Sequence, residues 1–331
     1  MRVPRSQRPG SETKDLDALL REASARREGV RAVTSAYRLV DDAADGFPGV
    51  TVDCYGQWAV VSVYDELASA GVAALANALV PTHARGVHVK HHARGDLRHK
   101  ERDDLAPRSP IGGESAPDEV IVDENGMHFA VSLHDGLSTG LFTDQRDNRR
   151  ALRGRAQGVR LLNLFAYTCS FTVAAALGGA AETVSVDLSN RALERGRENL
   201  ARNGVPPAGH RFIRDDALAF LGRAARRGER FGVVVLDPPS FGTRGRRTFS
   251  VERDYGELAR LSMALLSPGG RLLAVTNHRK TSVARLQALL ADAARNTSSD
   301  VATVEVTEPP ADHRHRPEGE FATKSIWVTL Y

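Results

Sequence analysis

Two short apolar runs, each ending in residues that suit a ligand better than a core, constrain this chain more than anything else in it. The first opens the stretch 161–187, LLNLFAYTCSFTVAAALGGAAETVSVD, and the second opens 231–241, FGVVVLDPPSF. Residues 159–164 read as a buried parallel strand, 165–170 as a tight polar turn, 171–177 as the start of a helix and 183–186 as the next strand. That is a βαβ unit. Ligands of such units sit in the crevice at the carboxyl ends of the strands, where Asp187 can accept hydrogen bonds from both hydroxyls of a ribose.

A dinucleotide is the first alternative, because a βαβ unit with a terminal acid also marks NAD sites. That reading needs G-x-G-x-x-G, glycines that let the backbone approach a pyrophosphate at a helix N-terminus. The turn here, NLFAYTCS at 163–170, has none. S-Adenosylmethionine carries a ribose and an adenine but no phosphate, and so tolerates a bulkier turn. It is the expected cofactor, with Asn163, Phe165, Tyr167, Thr168, Asp187 and Leu188 around it. The second strand end, DPPSF at 237–241, agrees: acid, two prolines and an aromatic form the pattern by which many methyltransferases hold a planar nitrogen base. Asp237 or the carbonyl after it can accept from the base, Pro238 and Pro239 stiffen the loop, and Phe241 can stack. The plain alternative is a strand-ending turn.

At 331 residues the chain has room for two domains with their own cores. Its 41% hydrophobic and 26% charged content are ordinary for a globular protein, and the N-terminus lacks an apolar leader, so a cytoplasmic location without membrane insertion is expected. Two distant cysteines, Cys54 and Cys169, make a disulfide framework or a cysteine-based metal site improbable. The net charge of +4 favours an anionic partner without requiring one.

Along the chain, residues 1–30 read as a basic tail and a short amphipathic helix, and 31–134 as a small α+β domain for RNA or substrate recognition. Asn125 and Gly126 between two apolar runs signal a hairpin. The segment 83–108 is rich in Arg, Lys and His, which suits either a phosphate-contacting surface or a solvated loop. Histidine-based metal binding lacks a familiar ligand spacing there, and no metal is expected. Residues 135–331 form the catalytic domain, a Rossmann-like α/β fold with seven strands, the last antiparallel. Asp144 is placed to cap a helix carrying Gln145, Arg146, Asn148 and Arg149. The strand at 211–214 ends at Asp215 and Asp216, either of which can cap the next helix.

With YRLV at 37–40, DGFPGVTVD at 45–53, TGLFTDQRDNR at 139–149 and the two strand-end motifs, the chain resembles the class I S-adenosylmethionine-dependent methyltransferases of bacterial large-subunit ribosomal RNA. The likeness runs from about residue 31 to the end, and the group includes a cytosine-C5 and a guanine-N7 enzyme. It implies that Gln145 and Arg146 lie at the methionine end of the cofactor, where a guanidinium meets the carboxylate, and that Asp215 or Asp216, the latter favoured, contacts the adenine amino group. It implies 23S ribosomal RNA or its precursor as partner, and leaves a homodimer open. Cytosine-C5 members begin with an RNA-binding module for which the thirty residues here are too few.

Pyrimidine C5 is a poor nucleophile, and enzymes that methylate it first add a thiolate to C6. Where C5 members carry that cysteine, this chain has TNHRK at 276–280, which resembles the polar segment of the guanine-N7 relatives. Cys169 sits in the cofactor turn and reads as packing. The expected reaction is therefore methylation of guanine N7 or another base nitrogen, with Asp237 and Asn277 orienting the base, Phe241 packing on it, and Arg279 or Lys280 on phosphate. The alternatives are a 5-methylcytosine enzyme, a small-molecule methyltransferase with the N-terminal domain as a lid, and a silent RNA-binding factor; intact Asp187 and Asp237 speak against the last.

Overall fold

The computed structural model describes residues 15–64, 71–92, 105–239, 241–244, 247–297, 300–313 and 321–331, with backbone alone for 241–244, 247–249 and 251. The expected tail, residues 93–104 of the basic segment 83–108, and the side chains of the TRGRR loop at 243–247 lie outside that description.

Helix α1 (Leu16–Arg26) and the short turn α2 (Glu28–Arg31) lead into a five-stranded sheet of β1 (Ala36–Asp41), β2 (Val50–Tyr55), β3 (Trp58–Val63), β4 (Gly86–His91) and β5 (Gly112–Gly113), paired in that order. Only β3 and β4 run parallel, and helix α3 (Val72–Leu79) makes the crossover such a pair requires. The alternation of a strand sorts its side chains: Leu39, Val52, Cys54, Val61 and Val89 pack against Leu20 of α1 and Leu75 and Leu79 of α3. Arg38, Thr51, Asp53 and Ser62 take the other face, where Arg38 Nε donates to Asp53 at 2.9 Å.

The hairpin β6 (Val120–Glu124) and β7 (Met127–Val131) turns on Asn125 and Gly126, at φ 52° and 70°, the left-handed pair a two-residue hairpin turn demands. It ties the first sheet to the rest. Thr34 bridges to Glu124, while the backbone N–H groups of Ala130 and His128 donate to Asn199 of the later helix α6 (Asn190–Arg202) and to Asn203 at its C-terminal cap, at 3.0 and 2.8 Å.

The remaining strands are β8 (Arg160–Leu164), β9 (Glu182–Asp187), β10 (His210–Arg214), β11 (Phe231–Leu236), β14 (Leu266–Thr276), β15 (Val301–Thr307) and β16 (Lys324–Leu330). They form one seven-stranded sheet in the order β10-β9-β8-β11-β14-β16-β15, parallel except that β16 runs antiparallel to both neighbours. Between β11 and β14, a two-stranded ribbon joins β12 (Phe241–Arg244) to β13 (Arg247–Ser250). Helices α7 (Ala217–Arg226), α8 (Val251–Met263) and α9 (Val283–Arg295) cover one face over Leu162, Leu164, Val234 and Leu236. Helices α4 (Arg146–Gly154) and α5 (Ser170–Leu177) cover the other over Leu161, Val233, Val235 and Trp327. A parallel strand in the middle of such a sheet is buried on both faces, and central β11 and the later part of β14 accordingly read as apolar runs. The strand order reverses between β8 and β11, which opens a crevice at their carboxyl ends.

Candidate active site

The chain leaves β8 through a strained turn. Phe165, Tyr167 and Cys169 all take left-handed backbone, at φ 56°, 48° and 60°. Each such residue costs about 1–3 kcal/mol and persists only where its surroundings dictate it. Here they do: Tyr167 N donates to Asp187 Oδ2 at 2.8 Å, Ala166 N to Val186 O at 3.0 Å, and Asn199 Nδ2 to Thr168 O at 3.1 Å. The turn thus takes a glycine-like path while its side chains remain, and Phe165 and Tyr167 stand in the wall of a cavity of about 400 Å³.

Asp187 closes β9 with its Oδ1 accepting from Ser189 N at 2.8 Å, so each carboxylate oxygen takes one backbone N–H and keeps a lone pair for a ribose hydroxyl. Leu188, half-exposed, forms the rim beside it. Asp216 lines the same end and also caps α7, its Oδ1 accepting from Ala219 N at 2.9 Å. The capping reading of that residue is thus borne out, and the same side chain lines the cavity.

At the other end, Gln145 and Arg149 face the cavity from the start of α4. Arg149 is buried, clamped by Glu124 at 2.6 Å through Nε and Nη2, and Nη2 also donates to Phe142 O at 2.9 Å. Its Nη1 reaches only Ser170 Oγ, at 3.5 Å, beside the N-terminus of α5. Asp144, Asp237, Pro238 and Asn277 complete the wall, with Asn277 exposed just past β14. Burial pushes the Asp237 carboxyl up to about 7; the Asp144 carboxylate adds to the rise and Arg149 opposes it.

Four sequence-predicted site residues lie outside the cavity wall, and one predicted cap is not a cap. Arg146 turns into the protein, pairing with Asp312 and donating to Ala36 O at 3.3 Å, so its guanidinium ties β1 to the segment before β16 instead of meeting a ligand. Asn163 is buried, donating to Thr172 Oγ1 of α5 at 3.0 Å, because strand alternation points it at the helix layer. Thr168 donates to Gly140 O and is buried in the turn. Asp215 pairs with Arg223 and accepts from Asp216 N, facing away from the cavity. Asp144 caps no helix; Thr323 donates to its Oδ2. Phe241 begins β12 opposite Ser250, and its side chain is outside the described set.

Arg149 is what sequence reading missed. Gln145 and Arg149 are four residues apart on one helical face, but Arg146 stands three residues from Arg149 and borders that face, so spacing alone did not separate the two arginines. Both thiols are buried and pushed up to about 12 by that burial. Cys169 packs on Gly196, where any added Cβ would lie 2.5 Å from its Sγ. His278 is also buried, paired with Thr281 Oγ1 at 2.9 Å.

The charge of the wall tests the cofactor. Among the described lining residues stand four carboxylates, of Asp144, Asp187, Asp216 and Asp237, and one guanidinium, that of Arg149, already countered by Glu124. In a chain of net charge +4, this anionic cavity repels a pyrophosphate and suits a nucleoside bearing a sulfonium and an ammonium group. Among the described residues there is no group of three or more metal-ligating side chains, and no helix long and apolar enough to cross a membrane.

This strand order, with its cavity at the reversal point and an acid ending the second strand, defines a Rossmann-like nucleoside-cofactor transferase. Residues 47–320 match the model of the family described as S-adenosylmethionine-dependent methyltransferase. Ribosomal RNA large subunit methyltransferase I of Aeromonas salmonicida is 34% identical over 96% of this chain and 81% of its own length, and that of Erwinia tasmaniensis 32% identical over 94% and 80%. A crystal structure of SMU.776, described as a methyltransferase complexed with SAH, superimposes with a TM-score of 0.86 at 28% identity, covering 98% of this chain and 83% of that one. The chain belongs to the S-adenosylmethionine-dependent methyltransferases, within the large-subunit ribosomal RNA methyltransferase family.

Proposed function

We infer that this enzyme methylates a base of large-subunit (23S) ribosomal RNA at a ring nitrogen, guanine N7 foremost, without a cysteine nucleophile. The single observation that carries the reading is the base end of the cavity: Asp237, Pro238 and Asn277 stand there, while both cysteines are buried with thiols held protonated. The names of the relatives supply the RNA class. Asp187 would hold the ribose, Leu188 and Asp216 the adenine, and Arg149 Nη1 with Ser170 Oγ the methionine carboxylate, assisted by the N-terminus of α5. Bound S-adenosylmethionine supplies an electrophilic methyl group on a sulfonium. Asp237 and Asn277 orient the base, Phe241 packs on it, and exposed Arg279 and Lys280, next along the chain from Asn277 and His278, take up phosphate charge. The small domain at 31–134 serves RNA recognition in this scheme.

Guanine N7 offers a lone pair and loses no proton, so positioning suffices. An exocyclic amine is the second reading, because it must shed a proton and a carboxyl near 7 is tuned to accept one. The test is label transfer from methyl-tritiated S-adenosylmethionine into ribosomal RNA from a strain lacking the protein, followed by nucleoside digestion. Label in 7-methylguanosine is expected, an N-methylated amine selects the second reading, and absence of RNA label defeats both.

A further inference from the structure

The cavity holds one carboxylate with no part in the scheme above. Asp144 precedes α4, and its Oδ2 accepts from the hydroxyl of Thr323, which abuts β16, so two separate elements fix it in the wall. Asp187 and Asp216 serve the nucleoside end, and Arg149 with Ser170 forms the opposite end. The negative charges left among the described lining residues are Asp144 and Asp237. We propose that Asp144 is a charge-selecting residue: with Asp237 of the base end it makes the cavity wall anionic beyond the nucleoside, so that the enzyme holds the cationic sulfonium form of its cofactor more tightly than the neutral thioether left after methyl transfer.

The physical reason is elementary. The two forms differ by a methyl group and one positive charge, so shape discriminates between them weakly and charge strongly. A fixed carboxylate in a part-buried site interacts with a unit charge far more than it would in water. The charged and titratable groups found to interact with Asp237 are Asp144, Arg149 of α4 and Tyr255 of α8. Tyr255 is buried and neutral, donating to Val275 O at 3.0 Å, and Arg149, clamped by Glu124, turns its Nη1 to Ser170 Oγ. Asp144 therefore decides the balance. Burial holds the Asp237 carboxyl up near 7 and the Asp144 charge adds to the rise, so a bound sulfonium favours the ionised form of Asp237. The product, lacking the sulfonium charge, is released the more readily.

The inference rests on the cavity being the cofactor site but not on the identity of the RNA base, and its test needs no RNA. Dissociation constants of S-adenosylmethionine and S-adenosylhomocysteine are measured by calorimetry on wild type, Asp144→Asn and Asp144→Glu. Asp144→Asn is expected to lower the preference for the charged form roughly tenfold while homocysteine-form binding stays within about twofold. Asp144→Glu is expected to restore most of the preference. An unchanged ratio in Asp144→Asn, or equal weakening of both ligands, overturns the proposal. Should Asp144→Asn fail to fold, Thr323→Val, which frees the carboxylate without removing it, is expected to lower the ratio in the same direction; equal loss for both ligands there overturns it as well. Failure to find label in RNA would sink the substrate reading and leave this ratio standing.

Discussion

Replacing Asp187 by asparagine removes one charge and one acceptor while keeping the shape. In the wild type, its two oxygens accept from Tyr167 N and Ser189 N at 2.8 Å each, which leaves their remaining lone pairs for ribose hydroxyls. Asparagine has one oxygen. Its amide nitrogen must then face either a backbone N–H or a hydroxyl that wanted an acceptor. Leaving the N–H of Tyr167 or Ser189 unsatisfied costs about 1–3 kcal/mol, and the left-handed turn at Tyr167 loses one of its restraints. Losing a charge-assisted hydrogen bond to the ribose costs about 1.5–3 kcal/mol, which is roughly a 10- to 150-fold rise in dissociation constant. Calorimetric titration with S-adenosylhomocysteine, beside a thermal melt of the free protein, measures both. A dissociation constant within threefold of wild type in a folded variant refutes the assignment of Asp187 to the ribose.

The two arginines separate cleanly. Arg149→Met should abolish cofactor binding and Arg146→Met should leave the affinity of the folded protein unchanged, while each destabilises the protein by about 3–5 kcal/mol because buried Glu124 or buried Asp312 loses its guanidinium; calorimetric titration of the folded variants distinguishes them. Asp237 carries a raised folded pKa, so the folded state binds the extra proton between about pH 4 and 7 and stability falls as pH rises through that window. Asp237→Asn should therefore raise stability at pH 8 by about 1–3 kcal/mol with little effect at pH 4, while methyl transfer is lost; parallel melts at the two pH values check it. Asn199→Ala should loosen both the hairpin and the turn, because Asn199 bonds Ala130 N and Thr168 O, and should cost about 1–3 kcal/mol by denaturant melt.

What could be read from the sequence was whatever is local. The run LLNL announces β8, Asn125-Gly126 announces its hairpin, and an acid at the end of β9 can only be presented at the carboxyl edge of a parallel sheet. Long-range pairings were invisible. Arg146 is bound by Asp312, 166 residues away, and Arg149 by Glu124 of the hairpin, so choosing between them required the helical phase set by where α4 begins. Asn163 was misjudged for a related reason: a polar residue near a strand end looks like a ligand contact until alternation assigns it to the buried side, where Thr172 and Ser185 form a small hydroxyl chain. Asp144 looked like a cap because Asp commonly is one, and only the fold brings Thr323 against it.

The claim that nitrogen is methylated without a thiol is met most directly by an enzyme that has none. A Cys54→Ala, Cys169→Ala double variant, incubated with methyl-labelled S-adenosylmethionine and 23S ribosomal RNA from a strain lacking the protein, should place label in 7-methylguanosine at a rate within a few-fold of wild type. Label in 5-methylcytidine with the wild type, lost in the variant while cofactor binding persists, would contradict the account.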